Sequence, residues 1–265
     1  MSKLIDQNMV DNIYSEGCCM GKVTDRIKIL DQYNLPYDKK AENVIITGCV
    51  ILSLLPNIIR SLANIFDKKG LSYSFLSKEY CCGNYLYRPA IKNRDQESIK
   101  ECQEISKDFI KKNIEQTKEL GAKRMIIFCS PCYPIYKHAF PDENIIFYPE
   151  AIYEVMDTYN IDSEIDYYAG CYRLHKRFSP APMDLKSTNK VFSKLQGLNI
   201  NRISAPICCY KPEGLEHMIS NIKTKQMVHI CTGCYSQALK MKRKLKDVEV
   251  LMLPELIERM MSKVL

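Results

Sequence analysis

Met125–Tyr133 reads MIIFCSPCY, and Met227–Tyr235 reads MVHICTGCY. Each is a short apolar run of strand type that ends on a CxxC. Each is followed by a helical stretch, a β-rich run and a Pro-Glu step: IIFYPEAIYEVM at 145–156, VEVLMLPELIERMM at 248–261. Upstream, VIITGC (44–49) is answered more loosely by IDYYAGC (165–171). A chain that repeats itself at this distance is a duplicated unit, and the duplication decides the fold.

Within a copy, short apolar runs alternate with amphipathic patterns. Val44–Thr47 reads as a buried strand, Asn57–Lys69 as a helix closed by Gly70, and Ser72–Leu76 as the next strand. Glu97–Leu120 reads as a long helix closed by Gly121, and Met125–Phe128 and Ile145–Tyr148 as further strands. Strands alternating with helices are βαβ units on a parallel sheet. The expected fold is α/β: two pseudo-symmetric βαβ-type lobes with parallel sheets. Residues 1–43 are an N-terminal arm with some helix, 44–162 the first lobe and 163–265 the second. Ser179–Asp184, with Pro180 and Pro182, reads as a loop beside the second cysteine site.

Ten of the thirteen cysteines fall into one pattern written twice. The first copy is Cys49, the pair Cys81-Cys82, then Cys129 and Cys132; the second is Cys171, the pair Cys208-Cys209, then Cys231 and Cys234. Cys49, Cys129, Cys171 and Cys231 each follow a predicted strand. That is the carboxyl edge of an open α/β sheet, where ligands sit. Clustered thiolates select iron–sulfur clusters, zinc or copper(I). Five thiols exceed the four ligands of tetrahedral zinc or of an ordinary cubane, so the excess favours an unusual multi-iron cluster or a cubane with a spare thiol. Zinc bound at the CxxC pairs is the alternative, in a module without redox chemistry.

Other features restrict the function. A net charge of +7 carried by dispersed Lys and Arg is a lysine-rich solvated surface with a mild pull on anionic partners, and no nucleic-acid-binding motif accompanies it. No GxGxxG occurs, so no flavin or nucleotide site is expected in the chain. No apolar run is long enough to span a bilayer, the first residues lack a signal-peptide core, and dense unpaired cysteine fits a cytoplasmic protein. Cys102 sits in a helical pattern and reads as core. Cys18-Cys19, on the arm, reads as an ordinary pair because it lacks a CxxC partner, with an extra ligand or a regulatory thiol as the alternative. His175, beside Lys176 and Arg177, is a speculative catalytic group that could bind an anion or give a proton to a departing thiolate; a solvated basic turn is the plainer reading.

The order C…CCG…CxxC, twice, resembles the cysteine-rich CCG domain of the B component of heterodisulfide reductase and its iron–sulfur relatives in lactate, glycolate and glycerol-3-phosphate oxidising systems. EYCCGNYLYRPA (79–90) and FCSPCY followed by Tyr148-Pro149-Glu150 carry the likeness most closely. The resemblance implies a non-cubane 4Fe–4S cluster on Cys49, Cys81, Cys82, Cys129 and Cys132, and another on Cys171, Cys208, Cys209, Cys231 and Cys234. It implies an oxidoreductase of an anaerobe that reduces a disulfide, of CoM-S-S-CoB type or another thiol disulfide, with electrons from an iron–sulfur or flavin subunit. The alternative is a non-catalytic electron-transfer subunit of a flavin-dependent dehydrogenase. The second copy departs from the pattern. It reads Cys208-Cys209-Tyr210 in place of CCG, has Tyr168-Ala169-Gly170 where the family carries His and Pro, and has only 21 residues between pair and CxxC against 46 in the first. A different cluster, a looser hold or a different substrate at site two follows from these differences.

Overall fold

A computed structural model describes residues 2–21, 25–171, 185–241 and 244–263. They divide into two compact units. The first contains the residues up to Arg60 and Leu71–Tyr148; the second contains Ser61–Gly70 and the described residues from Pro149 onward.

The first unit is built on four strands, β1 (Asn43–Ile46), β2 (Tyr73–Ser74), β3 (Arg124–Ile127) and β4 (Ile145–Phe147). They lie in the order β2-β1-β3-β4, every neighbouring pair parallel. All four residues of β1 and all three of β4 are buried. That is the pattern of a parallel sheet covered on both faces, whose strands read as continuous apolar runs. The second unit repeats the plan with β5 (Tyr159–Tyr168), β6 (Leu195–Ile203), β7 (Gln226–His229) and β8 (Glu249–Met252) in the order β6-β5-β7-β8, again all parallel. The two lobes therefore share one topology, as the repeat predicts.

That strand order places the functional edge. In each sheet the chain leaves the first strand toward one side and returns to build outward on the other. The switch falls between β1 and β3, and between β5 and β7. At such a switch the loops beyond the carboxyl ends diverge and leave a crevice. The lone cysteine follows the first strand of each sheet and the CxxC follows the third, so both borders of each crevice carry thiols.

The helices follow the expected pattern closely. Gln96–Glu119 is capped by Asp95, whose carboxylate accepts from the N–H groups of Glu97 and Ser98. The Pro-Glu steps become helix starts: Tyr148–Val155 and Leu253–Lys263 begin directly after β4 and β8. Pro149 and Pro254 sit in the first turn, where the missing N–H costs nothing. The arm forms two helices, Gln7–Glu16 and Arg26–Gln32.

Two local expectations change. The strand predicted over Ser72–Leu76 shortens to Tyr73–Ser74, because Phe75 instead pairs as an isolated bridge with Tyr37 of the arm. β6 was hidden in the polar stretch LQGLNINRI; it is an edge strand with one face in solvent, so its apolar signal is sparse. Ser179–Asp184 and His175 lie outside the described residues. No helix among the described residues is long and apolar enough to cross a membrane.

Candidate metal centres

In the first unit the turn Thr47-Gly48-Cys49 leaves β1 and meets the turn that leaves β3. Gly48 has φ +94°, and a Cβ built on it would lie 2.7 Å from Cys129 Cβ. Only a residue without a side chain allows two cysteine turns to approach this closely. Cys49 Sγ lies 3.2 Å from Cys81 Sγ, and Cys82 Sγ lies 3.2 Å from Cys132 Sγ. No disulfide joins any of the thirteen cysteines. These separations are far beyond an S–S bond of about 2.05 Å. They approach the roughly 3.8 Å between two sulfurs that share one tetrahedral ion at metal–sulfur bonds of about 2.3 Å.

Two residues that sequence reading passed over hold the thiols in place. Glu79 is buried, and one carboxylate oxygen accepts from the Thr47 N–H (2.8 Å) and the Thr47 hydroxyl (2.9 Å). The other accepts from the Gly48 N–H at 2.6 Å. Arg26 completes the set with an ion pair at 2.9 Å. Glu79 thus ties the Cys49 turn to the segment that carries Cys81-Cys82. Asn113, buried on the long helix, accepts from the Tyr80 N–H at 2.8 Å and donates to the Tyr80 carbonyl at 2.7 Å. It clamps that segment from the other side. The only sequence signal for either was position: an acid two residues before a cysteine pair, and an amide on the buried face of the long helix.

Cys18 and Cys19 lie beside this group and meet it at Cys49, contrary to the reading of the arm pair as ordinary. Cys19 Sγ is 3.9 Å from Cys49 Sγ, and the sulfurs of Cys18, Cys19 and Cys49 all lie within 4.8 Å of one another. Cys102 is core, as expected: it is fully buried and donates to the Leu86 carbonyl at 3.5 Å.

The second unit assembles its five cysteines by the same device. Gly170, at φ +87°, stands where Gly48 stands in the first, and a Cβ there would lie 2.9 Å from Cys234 Sγ. Cys209 Sγ lies 3.4 Å from Cys234 Sγ, and Cys208 neighbours both Cys171 and Cys209. The missing CCG glycine is accommodated by a change of backbone. Gly83 has φ +73°, whereas Tyr210 is not among the described residues of positive φ. Its ring lies over Gly233, where a Cβ would come within 3.3 Å of the ring. The glycine of Cys231-Thr-Gly-Cys234 therefore makes room for the tyrosine of Cys208-Cys209-Tyr210. Asp166, fully buried on β5, accepts from the N–H groups of Lys223 (3.0 Å) and Thr224 (2.7 Å) and fixes the turn into β7.

Electrostatics within the groups favour a soft cation. Neighbouring thiols Cys19, Cys49 and Cys82, with burial, push the Cys81 thiol well up. Cys129 and Cys82 do the same to Cys132, while Cys132 and Cys81 hold Cys82 well down. In the second unit Cys209 rises to about 12, with Cys208 the first cause. Five adjacent thiols cannot all ionise without a counter-charge, and a bound metal supplies it. The donor set and the glycine cradles fit a thiolate-ligated cluster. Cys49, Cys208 and Cys231 are half-buried while the other seven cysteines of the two patterns are buried, so each site keeps one accessible edge.

Comparison with known proteins agrees. Residues 44–134 match the family model CCG, described as a cysteine-rich domain. The first lobe carries a CCG domain. The chain is also similar to the D component of the dihydromethanophenazine:CoB–CoM heterodisulfide reductase of Methanosarcina mazei, 26% identical over 132 residues, which is 43% of this chain and 30% of that protein. The D components of the same enzyme in Methanosarcina barkeri and Methanosarcina acetivorans are each 24% identical, over 46% and 52% of this chain and 32% and 30% of theirs. The aligned part thus spans about a third of the length of these relatives. The CCG domain and these likenesses support an iron–sulfur redox role.

Proposed function

We propose that the chain is an iron–sulfur oxidoreductase subunit of heterodisulfide reductase B type that reduces a small-molecule disulfide. Cys49, Cys81, Cys82, Cys129 and Cys132 hold one non-cubane 4Fe–4S cluster. Cys171, Cys208, Cys209, Cys231 and Cys234 hold the other. The observation that carries this is the gathering of a five-thiol group at the switch point of each parallel sheet. When bound, such clusters supply electrons one at a time, and two electrons with two protons convert a disulfide to two thiols. The residues' part is positional. Gly48 and Gly170 let the cysteine turns close, Glu79 and Asn113 hold the Cys81-Cys82 segment, and the half-buried Cys49, Cys208 and Cys231 mark the edges open to a reactant. The electrons come from a partner iron–sulfur or flavin subunit, and the disulfide is of the class named in the heterodisulfide reductase relatives.

Iron and acid-labile sulfide per chain, with EPR, on anaerobically purified protein test this. About eight irons per chain are expected for two 4Fe–4S clusters. About four irons would leave one site filled and overturn disulfide cleavage in favour of the electron-transfer role. Zinc in place of iron would overturn both.

A further inference from the structure

We propose that Cys18, Cys19 and Cys49 form a separate three-thiolate site for a single soft divalent ion such as zinc, beside the five-cysteine group of the first unit. The three sulfurs lie within 4.8 Å of one another, Cys18 and Cys19 are 7% and 3% exposed, and Cys49 is half-buried. Cys49 stands between two sets of thiols, 3.9 Å from Cys19 and 3.2 Å from Cys81. A thiolate has lone pairs enough to bridge two metals, so ligation in one set does not remove it from the other.

The arm is seated for this purpose by specific contacts. Gly17 closes the helix Gln7–Glu16 at φ +75°, and its carbonyl accepts the Cys81 N–H at 2.8 Å. A Cβ on Gly17 would lie 2.4 Å from the Glu79 carbonyl oxygen, so the turn bearing Cys18-Cys19 packs directly on the segment that delivers Cys81-Cys82. Lys78 Nζ donates to the Ser15 carbonyl at 3.0 Å and adds a second tie. An unmetallated pair of buried thiols would need no such register with Cys49.

Three thiolates leave the fourth position of a tetrahedral ion open, the arrangement of zinc sites that exchange a ligand. Cys18 and Cys49 line a cavity of about 320 Å³, bordered also by Ser53, Lys78 and Arg26. The cavity has room for a water or a small thiol at that position. Binding replaces the thiol protons of Cys18 and Cys19 by one divalent ion and adds the Cys49 thiolate as third ligand, so two protons are released where Cys49 is already ionised on the neighbouring group and three where it is not. No oxidant or reductant takes part. Cys49 is common to this site and the five-cysteine group, whereas Cys18 and Cys19 belong to this site alone.

The test uses the full chain, anaerobically loaded with iron and sulfide, exposed to zinc and then desalted. Zinc and iron are counted together in the parent and in Cys18→Ser/Cys19→Ser. The expected result is one additional zinc per chain in the parent, none in the variant, and the same iron in both. In the parent, zinc is expected to slow alkylation of Cys18 and Cys19 by about tenfold or more, since the free thiolate is the nucleophile. That second readout does not rely on the variant folding. Equal zinc in parent and variant, or unprotected Cys18 and Cys19, would overturn the proposal. So would loss of iron with the two serines, which would place the arm thiols on the iron cluster itself. An iron count that fails in the parent bears on the proposed function, not on this site.

Discussion

Glu79→Ala is expected to loosen the Cys49 turn. The carboxylate is buried, with its side chain 1% exposed, and holds the Thr47 N–H and hydroxyl, the Gly48 N–H and the Arg26 guanidinium within 2.6–2.9 Å. Its removal strands two backbone donors and leaves a largely buried cation without its partner. Breaking a buried pair of this kind costs about 3–5 kcal/mol, because the charge left behind stays desolvated. At about 1.4 kcal/mol per tenfold, the opening equilibrium of the turn rises roughly 140- to 3,700-fold. The assay is hydrogen exchange at the Thr47 and Gly48 amides, with urea unfolding alongside. Glu79→Gln keeps the shape and removes the charge, so a smaller effect in the same direction is expected. Adding Arg26→Ala to Glu79→Ala recovers part of the loss, since the stranded cation is then gone. Metal content is expected to fall at the first site and not at the second. Exchange at Thr47 and Gly48 that changes by less than about tenfold would refute the reasoning, as 1.4 kcal/mol is too little for a buried pair.

Gly48→Ala combines backbone strain at φ +94° with a contact of 2.7 Å against Cys129 Cβ. A loss of roughly 2–5 kcal/mol is expected from strain and overpacking together, with reduced metal at the first site, read by denaturation and metal analysis. His229 is fully buried, and burial lowers its pKa to about 3 from the usual 6.5. Between those values the unfolded chain binds a proton that the folded chain does not, so stability falls as pH falls through that window. At one unit below 6.5 about 1.4 kcal/mol is lost. His229→Leu is expected to remove this slope, and urea midpoints at pH 6.5 and 5.5 that shift equally in parent and variant would contradict it.

The sequence by itself carried the duplication, the α/β class and the two sets of five cysteines. Those features are local or periodic. A buried parallel strand such as Val44–Ile46 is apolar throughout, a helix such as Gln96–Glu119 shows its face every third or fourth residue, and a CxxC is written in adjacent positions. Gly70 and Gly121 could be read as helix ends because one residue with no side chain decides a left-handed turn. β6 escaped because an edge strand buries only one face. The glycine lost from the second pair was legible as a departure, but its consequence was not. Tyr210 finds space over Gly233, a residue 23 positions away.

What only the tertiary structure decided is which distant groups share a volume. Glu79 reaches Thr47, Asn113 reaches Tyr80, and Cys19 of the arm reaches Cys49, each across about 30 residues. An acid, an amide and a cysteine pair have no period and no motif, so the order of residues marks their place in the chain but not what they reach. Their roles arise because the parallel crossovers bring the strand ends to one edge, where every buried donor must find an acceptor and every buried thiolate a cation.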